Sequence, residues 1–160
     1  MKKILFSLIL CAFSTIAFSQ TLTPGSALPA AVFYKTDGNS YSTNQIPKGK
    51  KALLMFFDAT CEHCQRTAAN MSKRTKELTG INIYMITQDE QRSIDYFFNK
   101  FGKPLQALKN VTILQDKDRV FIPLFHPKQY PSLYLYDKSK NLTFYSSNEK
   151  DLQKFFDLMK

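Results

Sequence analysis

Two spacings of apolar residues alternate along the chain and predict alternating strands and helices. An unbroken apolar run, typical of a strand that is covered on both faces of a sheet, occurs at 52–57, and mainly apolar runs at 81–87 and 111–115 predict a second buried strand and a third strand. Apolar residues three or four positions apart, the spacing of one helix face, follow the first two runs at 61–78 and 93–101, and Gly102 closes the second of these. The central order is therefore strand–helix–strand–helix–strand.

The flanking segments extend this order at both ends of the chain. They are a strand at 31–34, a polar loop at 41–51, an irregular segment at 119–130, a hairpin of 132–136 and 142–146, and a final helix at 149–160. Strands that alternate with helices predict an α/β domain, in which a central mixed sheet carries helices on both faces and an N-terminal β extension.

The first segment has the pattern of a secretory signal peptide. Lys2 and Lys3 precede an apolar stretch, and Ala17-Phe18-Ser19 supplies the small residues that a signal peptidase reads. We expect cleavage of residues 1–19, before Gln20. An uncleaved membrane anchor is the alternative, although the stretch is short for a span of about 20 residues. The sequence thus predicts a secreted or periplasmic protein with no stable membrane insertion after cleavage.

Loss of this segment changes both the net charge and the cysteine count. The chain of 160 residues carries 22 Lys and Arg against 13 Asp and Glu, and cleavage lowers its formal charge from +9 to +7. Cleavage also removes Cys11, so that Cys61 and Cys64 remain. Residues 20–160 have the length of one domain. Because the basic residues are scattered and exported proteins rarely meet nucleic acid, we expect no nucleic-acid partner.

Cys61 and Cys64 lie where the strand at 52–57 gives way to a helix. A helix N-terminus stabilises a thiolate, which is the reactive form of cysteine. Closing so short a loop contributes little to stability, whereas export favours disulfide chemistry. We interpret the two cysteines as a redox pair in which Cys61 attacks and Cys64, one turn further in, resolves the mixed disulfide.

The two residues between the cysteines are candidates for tuning the redox potential. A protonated or hydrogen-bonding His63 favours the Cys61 thiolate, whereas the negative charge of Glu62 opposes it. Our hypothesis is a potential between about −270 and −120 mV. The simpler interpretation of His63 is a solvated residue without a tuning role.

The sequence resembles the thioredoxin superfamily, and within it secreted proteins of the TlpA/ResA/redoxin type. The resemblance is carried by Pro24-Gly25-Ser26-Ala27-Leu28-Pro29, by the strand leading into Cys61-Glu62-His63-Cys64, by Tyr130-Pro131 before the predicted hairpin, and by the last helix. It covers residues 24–160 and implies a thioredoxin fold. It also implies that Pro131 is a cis-proline facing the cysteines, and that Tyr130 and Pro131 bind substrate.

Three positions depart from the thioredoxin pattern. Thr60 stands where a Trp usually precedes the first cysteine, and Phe57 occupies another frequent Trp position. Met55 replaces the buried acid that accepts a proton from the second cysteine in thioredoxin. Asp58 is a substitute for this role, although we favour an exposed turn residue or helix cap there.

Related types of site fit less well. A DsbA-type oxidase requires a helical insertion for which the chain has no room after the active-site helix, and a peroxiredoxin requires Thr and Pro where Asp58 and Leu54 stand. Gln65 follows Cys64 where covalent haem attachment requires His, and His126 has no second cysteine pair with which to form a zinc site. We therefore expect no metal and no cofactor.

Two functions remain open. The first is an exported thiol-disulfide oxidoreductase that acts on protein thiols or disulfides, with a separate redox partner and as a monomer. The second is a thioredoxin-fold binding or accessory module whose cysteine pair is regulatory or vestigial.

Overall fold

The computed structural model describes residues 22–160, so the predicted signal peptide at 1–19 lies outside the described residues. Seven strands are present in this part of the chain: β1 Val32–Lys35, β2 Ser40–Ser42, β3 Ala52–Phe56, β4 Asn82–Thr87, β5 Val111–Gln115, β6 Ser132–Tyr136 and β7 Leu142–Ser146. Five helices accompany them: α1 Glu62–Ser72, α2 Gln91–Phe97, α3 Lys103–Gln106, α4 Phe121–Phe125 and α5 Leu152–Met159. None of the helices within 22–160 has the length and apolar character needed to cross a membrane.

All seven strands belong to one mixed sheet. Its order is β2-β1-β5-β4-β3-β6-β7, with β3, β4 and β5 parallel and the remaining pairs antiparallel. The parallel strands are joined through helices, as such connections require, whereas β6 and β7 form the predicted hairpin. The strands β1 and β2 form the N-terminal β extension. The predicted mixed α/β fold is confirmed.

The alternation of side chains along β3 separates two apolar cores. Leu53 and Met55 face the core that is shared with α1, α2 and α5. Leu54 and Phe56 face the other core, where aromatic rings of α4 pack, among them Phe121 stacked on Phe56 at a centroid distance of 4.2 Å. Both faces therefore carry helices, but unequally, because the second face is covered by only one helix of five residues and by the N-terminal segment.

The predicted loop at 41–51 contains more regular structure than its polar pattern indicates. Residues Ser40–Ser42 form β2, which pairs with β1, and a 3-10 turn follows. Main-chain hydrogen bonds to β1 hold this short strand at the edge of the sheet, so it forms without the apolar side-chain pattern from which a strand is predicted. The prediction of a loop was therefore wrong over its first residues.

Two predicted helices have different bounds in the structure. The helix predicted at 61–78 ends at Ser72, and its last four residues form a separate 3-10 turn, Thr75–Leu78. The final helix likewise begins with a 3-10 turn before Leu152–Met159. In both cases apolar residues keep a helical spacing across the break, which is why the sequence pattern does not reveal it.

Gly102 does not end the second helix, contrary to the prediction. Helix α2 continues through a π-helical turn, Phe98–Gly102, into α3. A Cβ atom at Gly102 would lie 2.8 Å from Cδ1 of Phe98. Glycine is present here because a buried ring approaches the backbone, not because the helix terminates.

The irregular segment predicted at 119–130 contains a short helix, α4. Asp116, which is buried, accepts hydrogen bonds from the backbone N–H groups of Val120 and Phe121 at 2.8 and 3.0 Å. These bonds fix the start of the helix. Pro123 lies in its first turn, where the missing N–H has no intrahelical partner to lose.

Candidate active site

The register of two strands brings together the parts of the candidate site. In the antiparallel pair β3 and β6, Phe56 lies opposite Ser132. The residues that follow β3 therefore meet those that precede β6 at one edge of the sheet. This pairing places Cys61 beside Tyr130 and Pro131, although 69 positions separate Cys61 from Tyr130 along the chain.

Cys61 is half-buried at the start of α1, where it occupies the N-cap position. Its thiol donates to the carbonyl oxygen of Tyr130 at 3.8 Å, and the bond from Tyr130 to Pro131 is cis, as the resemblance implies. Cys61 makes no side-chain capping hydrogen bond, but its position at the helix N-terminus favours negative charge on the sulfur. The accessible cysteine therefore lies against the backbone of the cis-proline segment.

The loop before Cys61 is held by the side chains of Asp58, Asp89 and Gln65. Asp58 Oδ1 accepts from the backbone N–H groups of Thr60 and Cys61 at 2.7 and 3.1 Å, and also from the Thr60 hydroxyl. The carboxylate of Asp89, just after β4, accepts from Ala59 N–H at 2.7 Å, and Gln65 of α1 donates to the Ala59 carbonyl. The loop is thus fixed before any substrate arrives.

Cys64 lies one helical turn inside α1 and is fully buried. Burial raises the pKa of the Cys64 thiol, a backbone hydrogen bond at Asp58 lowers it in part, and the neighbouring Cys61 raises it further. Both cysteines are free thiols in this structure. Because Met55 belongs to the same apolar cluster as Cys64, no carboxylate occupies the place of the buried acid of thioredoxin.

The departures from the thioredoxin pattern have local explanations. Phe57 is buried and stacks on Phe97 at a centroid distance of 4.6 Å, so this aromatic ring serves the core. Thr60 is exposed and donates its hydroxyl to Asp58. Asp58 itself is half-buried, and its Oδ1 atom already accepts three hydrogen bonds, as expected for a residue that organises a turn.

Tyr130 places an aromatic ring at the same edge of the sheet. The ring packs 5.0 Å from that of Phe56, centroid to centroid. Burial raises the pKa of the Tyr130 hydroxyl, and the nearby carboxylates of Asp58, Asp89 and Asp116 raise it further. Tyr130 therefore keeps its proton at neutral pH and presents an uncharged ring beside the cysteines.

The two residues between the cysteines differ in their contacts. The Glu62 side chain is 85% exposed and lies 3.6 Å from Arg66, one turn along the helix. His63 turns toward Glu149, at the start of the last helical segment, with Nδ1 3.1 Å from its carboxylate. Arg66 also reaches Nδ1 of His63, at 2.7 Å, and binds Glu149 through two nitrogens at 3.2 and 3.1 Å.

Arg66 and Glu149 shift each other's pKa beside the cysteine helix. The hydrogen bonds from Arg66 are the largest cause of the lowered pKa of Glu149, and those with Glu149 are the largest cause of the raised pKa of Arg66. The charge of Cys61 also acts on Arg66. Arg66 therefore carries a positive charge close enough to Cys61 to interact with it, while it holds Glu149 by hydrogen bonds.

Sequence reasoning missed Arg66, Asp89 and Glu149. Arg66 had a usable signal, because its spacing of three and four from His63 and Glu62 places all three side chains on neighbouring positions of one helix. No local pattern identifies Asp89 or Glu149, since each reaches the site through the fold. Among residues 22–160, no group of three or more His, Cys, Asp or Glu side chains is arranged to hold a metal ion.

Three clefts, the first of them in two parts, lie around the cysteines and the segment before Pro131. One of about 110 Å³ is lined by His63, Pro131 and residues after β7, and it adjoins a polar cavity of about 370 Å³. A second of about 130 Å³ lies beside Phe56 and Ile122. A third of about 520 Å³ separates the cysteine loop from α2. The cysteine pair therefore lies at an indented surface rather than in a deep cavity.

Comparison with known families identifies the chain. A family model described as AhpC/TSA matches residues 24–145. The protein belongs to the AhpC/TSA family. Its fold is accordingly thioredoxin-like and of the redoxin type, as the resemblance in the sequence indicated. A comparison with curated proteins gives no match.

Solved structures of AhpC/TSA-like shape support the same fold. The thioredoxin domain of a thiol-disulfide oxidoreductase from Bacteroides vulgatus is 20% identical, covers 88% of this chain and 100% of its own, and gives a TM-score of 0.66. A protein assigned as thiol:disulfide interchange protein DsbE from Chlorobium tepidum is 15% identical, with coverages of 84% and 94% and a TM-score of 0.67. A thiol peroxidase from Chromobacterium violaceum is 13% identical, with coverages of 88% and 87% and a TM-score of 0.67.

Proposed function

We propose that this member of the AhpC/TSA family is an exported thiol-disulfide oxidoreductase that acts on protein substrates. The observation that carries the proposal is the asymmetry of the cysteine pair beside the cis-proline. Cys61 is accessible, with Sγ 3.8 Å from the carbonyl of Tyr130, whereas Cys64 is buried one turn away. An accessible attacking sulfur and a shielded resolving sulfur are what a two-step disulfide exchange requires.

In the reducing direction, the Cys61 thiolate attacks one sulfur of a substrate disulfide. A mixed disulfide forms, and the other substrate sulfur leaves as a thiolate. Cys64 then loses its proton and attacks the Cys61 sulfur, which releases the second substrate thiolate and leaves Cys61 and Cys64 joined as a disulfide. A separate redox partner must then supply two electrons to restore the dithiol, and oxidation of a substrate dithiol follows the same steps in reverse.

Substrate binding is assigned to the surface formed by Cys61, His63, Tyr130 and Pro131. An extended substrate segment that pairs with the backbone at Tyr130 would bring its own sulfur toward Sγ of Cys61. Main-chain pairing is independent of side chains and accommodates many sequences. Localisation outside the cytoplasm is proposed from the signal-peptide pattern at 1–19.

The test is covalent capture. In Cys64→Ser the mixed disulfide cannot be resolved, so we expect exported proteins to accumulate as adducts of Cys61 that disappear on reduction. Cys61→Ser is the matched control, because it retains the buried thiol but lacks the attacking one. Turnover of insulin by the reduced wild-type protein supplies the activity readout, and its equilibrium with glutathione fixes the direction of the reaction.

Two other functions are distinguished by the same material. A binding or accessory module would keep its partner when Cys61 is replaced by Ala and would not reduce insulin. A peroxidase would consume hydrogen peroxide or an alkyl hydroperoxide, with Cys61 as the oxidised residue. Hydroperoxide consumption should be measured because a thiol peroxidase is among the proteins of similar structure. Asp58 and Leu54 occupy the positions where that chemistry requires Thr and Pro, so we expect no hydroperoxide turnover.

A further inference from the structure

A polar groove leads away from Pro131 along the end of β7. Its inner part, of about 110 Å³, includes Pro131 and Lys150 in its lining, and its outer part, of about 370 Å³, includes Lys128. The two parts share Gln129, Ser147 and Asn148 as lining residues, so they are adjacent. We refer to these two cavities together as the polar groove. It begins beside the proposed substrate-binding residues.

The groove presents two cations that lack an ionic partner. In the part of the chain that the structure describes, no carboxylate lies within 4.0 Å of the ammonium group of Lys128 or Lys150, and both residues are exposed. One carboxylate, that of Glu149, lines the groove, but Arg66 binds it through two nitrogens. The next carboxylate along the chain, that of Asp151, does not line the groove, and it accepts a hydrogen bond from the Ser146 hydroxyl.

The wall of the groove is held by hydrogen bonds within the protein. The Gln129 side chain donates to the Ser147 carbonyl at 2.8 Å. The Ser147 hydroxyl lies 2.7 Å from that of Ser132 and 2.5 Å from that of Tyr145, whose oxygen also accepts from Lys128 N–H. This wall is therefore preformed, and a ligand that enters the groove need not order it.

We propose that the polar groove binds acidic side chains of the substrate polypeptide, close in sequence to the cysteine that Cys61 attacks. This inference rests on the proposed function. A substrate segment that passes Tyr130 in an extended conformation advances about 3.3 Å per residue, so Asp or Glu a few positions from its cysteine reaches Lys150 and then Lys128. Exposed charges act mainly on the rate of association and are screened by salt. The groove thus selects among substrates that the backbone contact alone accepts equally.

Two disulfide peptides test this selection. The two peptides have the same length and the same disulfide-bonded cysteine. In one of them three Glu residues flank this cysteine, and in the other these three residues are Gln. For the wild-type protein at low salt, with reduced glutathione returning it to the dithiol and the uncatalysed rate subtracted, we expect kcat/KM for the acidic peptide to exceed that for the neutral one by about fivefold. The preference should fall toward one in 0.5 M salt, because the Debye length is then only a few ångströms.

Charge reversal locates the preference on the molecule. The double variant Lys128→Glu/Lys150→Glu should lose the preference or invert it. The matched control, Lys50→Glu/Lys109→Glu, makes the same change in net charge at exposed residues that precede β3 and β5, at the opposite edge of the sheet. The control should keep the wild-type ratio. The rate at which iodoacetamide modifies Cys61 is measured in every variant and used to normalise kcat/KM.

Each remaining outcome contradicts the inference. Equal kcat/KM for the two peptides with the wild-type protein would overturn the proposal that the groove binds acidic side chains, but it would not contradict the proposed oxidoreductase function. An equal loss of preference in both double variants would assign the effect to net charge rather than to the groove. If the wild-type protein reduces neither peptide and Cys64→Ser captures no protein, the proposed function itself fails, and the inference fails with it.

Discussion

Nδ1 of His63 lies 3.1 Å from the Glu149 carboxylate and 2.7 Å from a guanidinium nitrogen of Arg66. These two contacts require different states of the same nitrogen. It accepts from Arg66 when it carries no proton, and it donates to Glu149 when it carries one. The tautomer of His63 therefore decides which of the two partners Nδ1 binds, within one helical turn of Cys61.

The first prediction concerns Glu149, the carboxylate in this cluster. Glu149→Gln removes a negative charge and releases Arg66 from its paired hydrogen bonds, so positive charge near Cys61 is less compensated. We expect iodoacetamide to modify Cys61 about twofold to fivefold faster at pH 6 to 7, with a smaller effect in high salt. Alkylation quenched at a series of times and followed by mass spectrometry measures this rate.

Glu77→Gln is the matched control for that experiment. Glu77 binds Arg74 through two bonds of 2.6 and 2.7 Å, and Arg74 lowers the pKa of Glu77 as Arg66 lowers that of Glu149. This pair lies beyond the end of α1, away from the cysteines. An unchanged alkylation rate in Glu149→Gln, or an equal increase in Glu77→Gln, would refute a local effect on Cys61.

The second prediction concerns the unequal reactivity of the two cysteines. Burial raises the pKa of Cys64, and its sulfur is inaccessible, so in the reduced native protein at pH 7.5 we expect iodoacetamide to modify Cys64 more than about tenfold more slowly than Cys61. Peptide mapping after timed alkylation gives both rates. In 6 M guanidinium chloride the two rates should become similar, and a persistent difference there would show that burial is not the cause.

The third prediction separates two roles of Asp58. Asp58→Ala removes the acceptor for two backbone N–H groups of the cysteine loop, and we expect it to lower stability by about 1 kcal/mol and to slow insulin reduction. Asp58→Asn retains an oxygen that can accept these bonds but cannot take a proton. It should therefore keep most of the activity. A loss of activity in Asp58→Asn as large as that in Asp58→Ala would instead assign proton transfer from Cys64 to Asp58.

The fourth prediction tests the close approach at Gly102. Gly102→Ala places a methyl group 2.8 Å from Cδ1 of the buried Phe98 ring, and we expect a loss of about 1–3 kcal/mol in the free energy of unfolding. Gly80→Ala is the control, since nothing lies within 4 Å of its added Cβ. Urea unfolding followed by circular dichroism measures both. Comparable losses in the two variants would contradict the packing explanation.

The fifth prediction concerns pH and the turn between β6 and β7. Asp137 accepts from the backbone N–H groups of Ser139 and Asn141, both at 2.8 Å, and the bond from Asn141 is the largest cause of its lowered pKa. A carboxyl whose folded pKa is depressed stabilises the protein above its unfolded pKa of about 3.9 and loses this effect as the pH falls through the folded value. The difference in Tm between wild type and Asp137→Ala should therefore be larger at pH 7 than at pH 2.5. An equal difference at both values would show that the charge contributes nothing.

The strands and the cysteine pair were predictable because their determinants are local. The apolar runs that became β3, β4 and β5, and the alternation in β6 and β7, mark buried strands wherever they occur. Cys61 at the start of a helix follows from the change in apolar spacing at that point. The helix ends were less predictable, since apolar residues continue the same spacing through the breaks after Ser72 and before Leu152.

The sequence by itself determined the order of the elements, the mixed α/β fold and the position of the pair Cys61 and Cys64 at the start of a helix. Its resemblance to thioredoxin-like proteins also indicated a cis-proline at Pro131. The tertiary structure decided which groups meet that pair. The pairing of β3 with β6 brings the Tyr130 carbonyl to Sγ of Cys61, and the start of the last helical segment brings Glu149 to His63 and Arg66. These contacts join residues far apart in the chain, so their distances depend on strand register and helix packing, which no local pattern encodes.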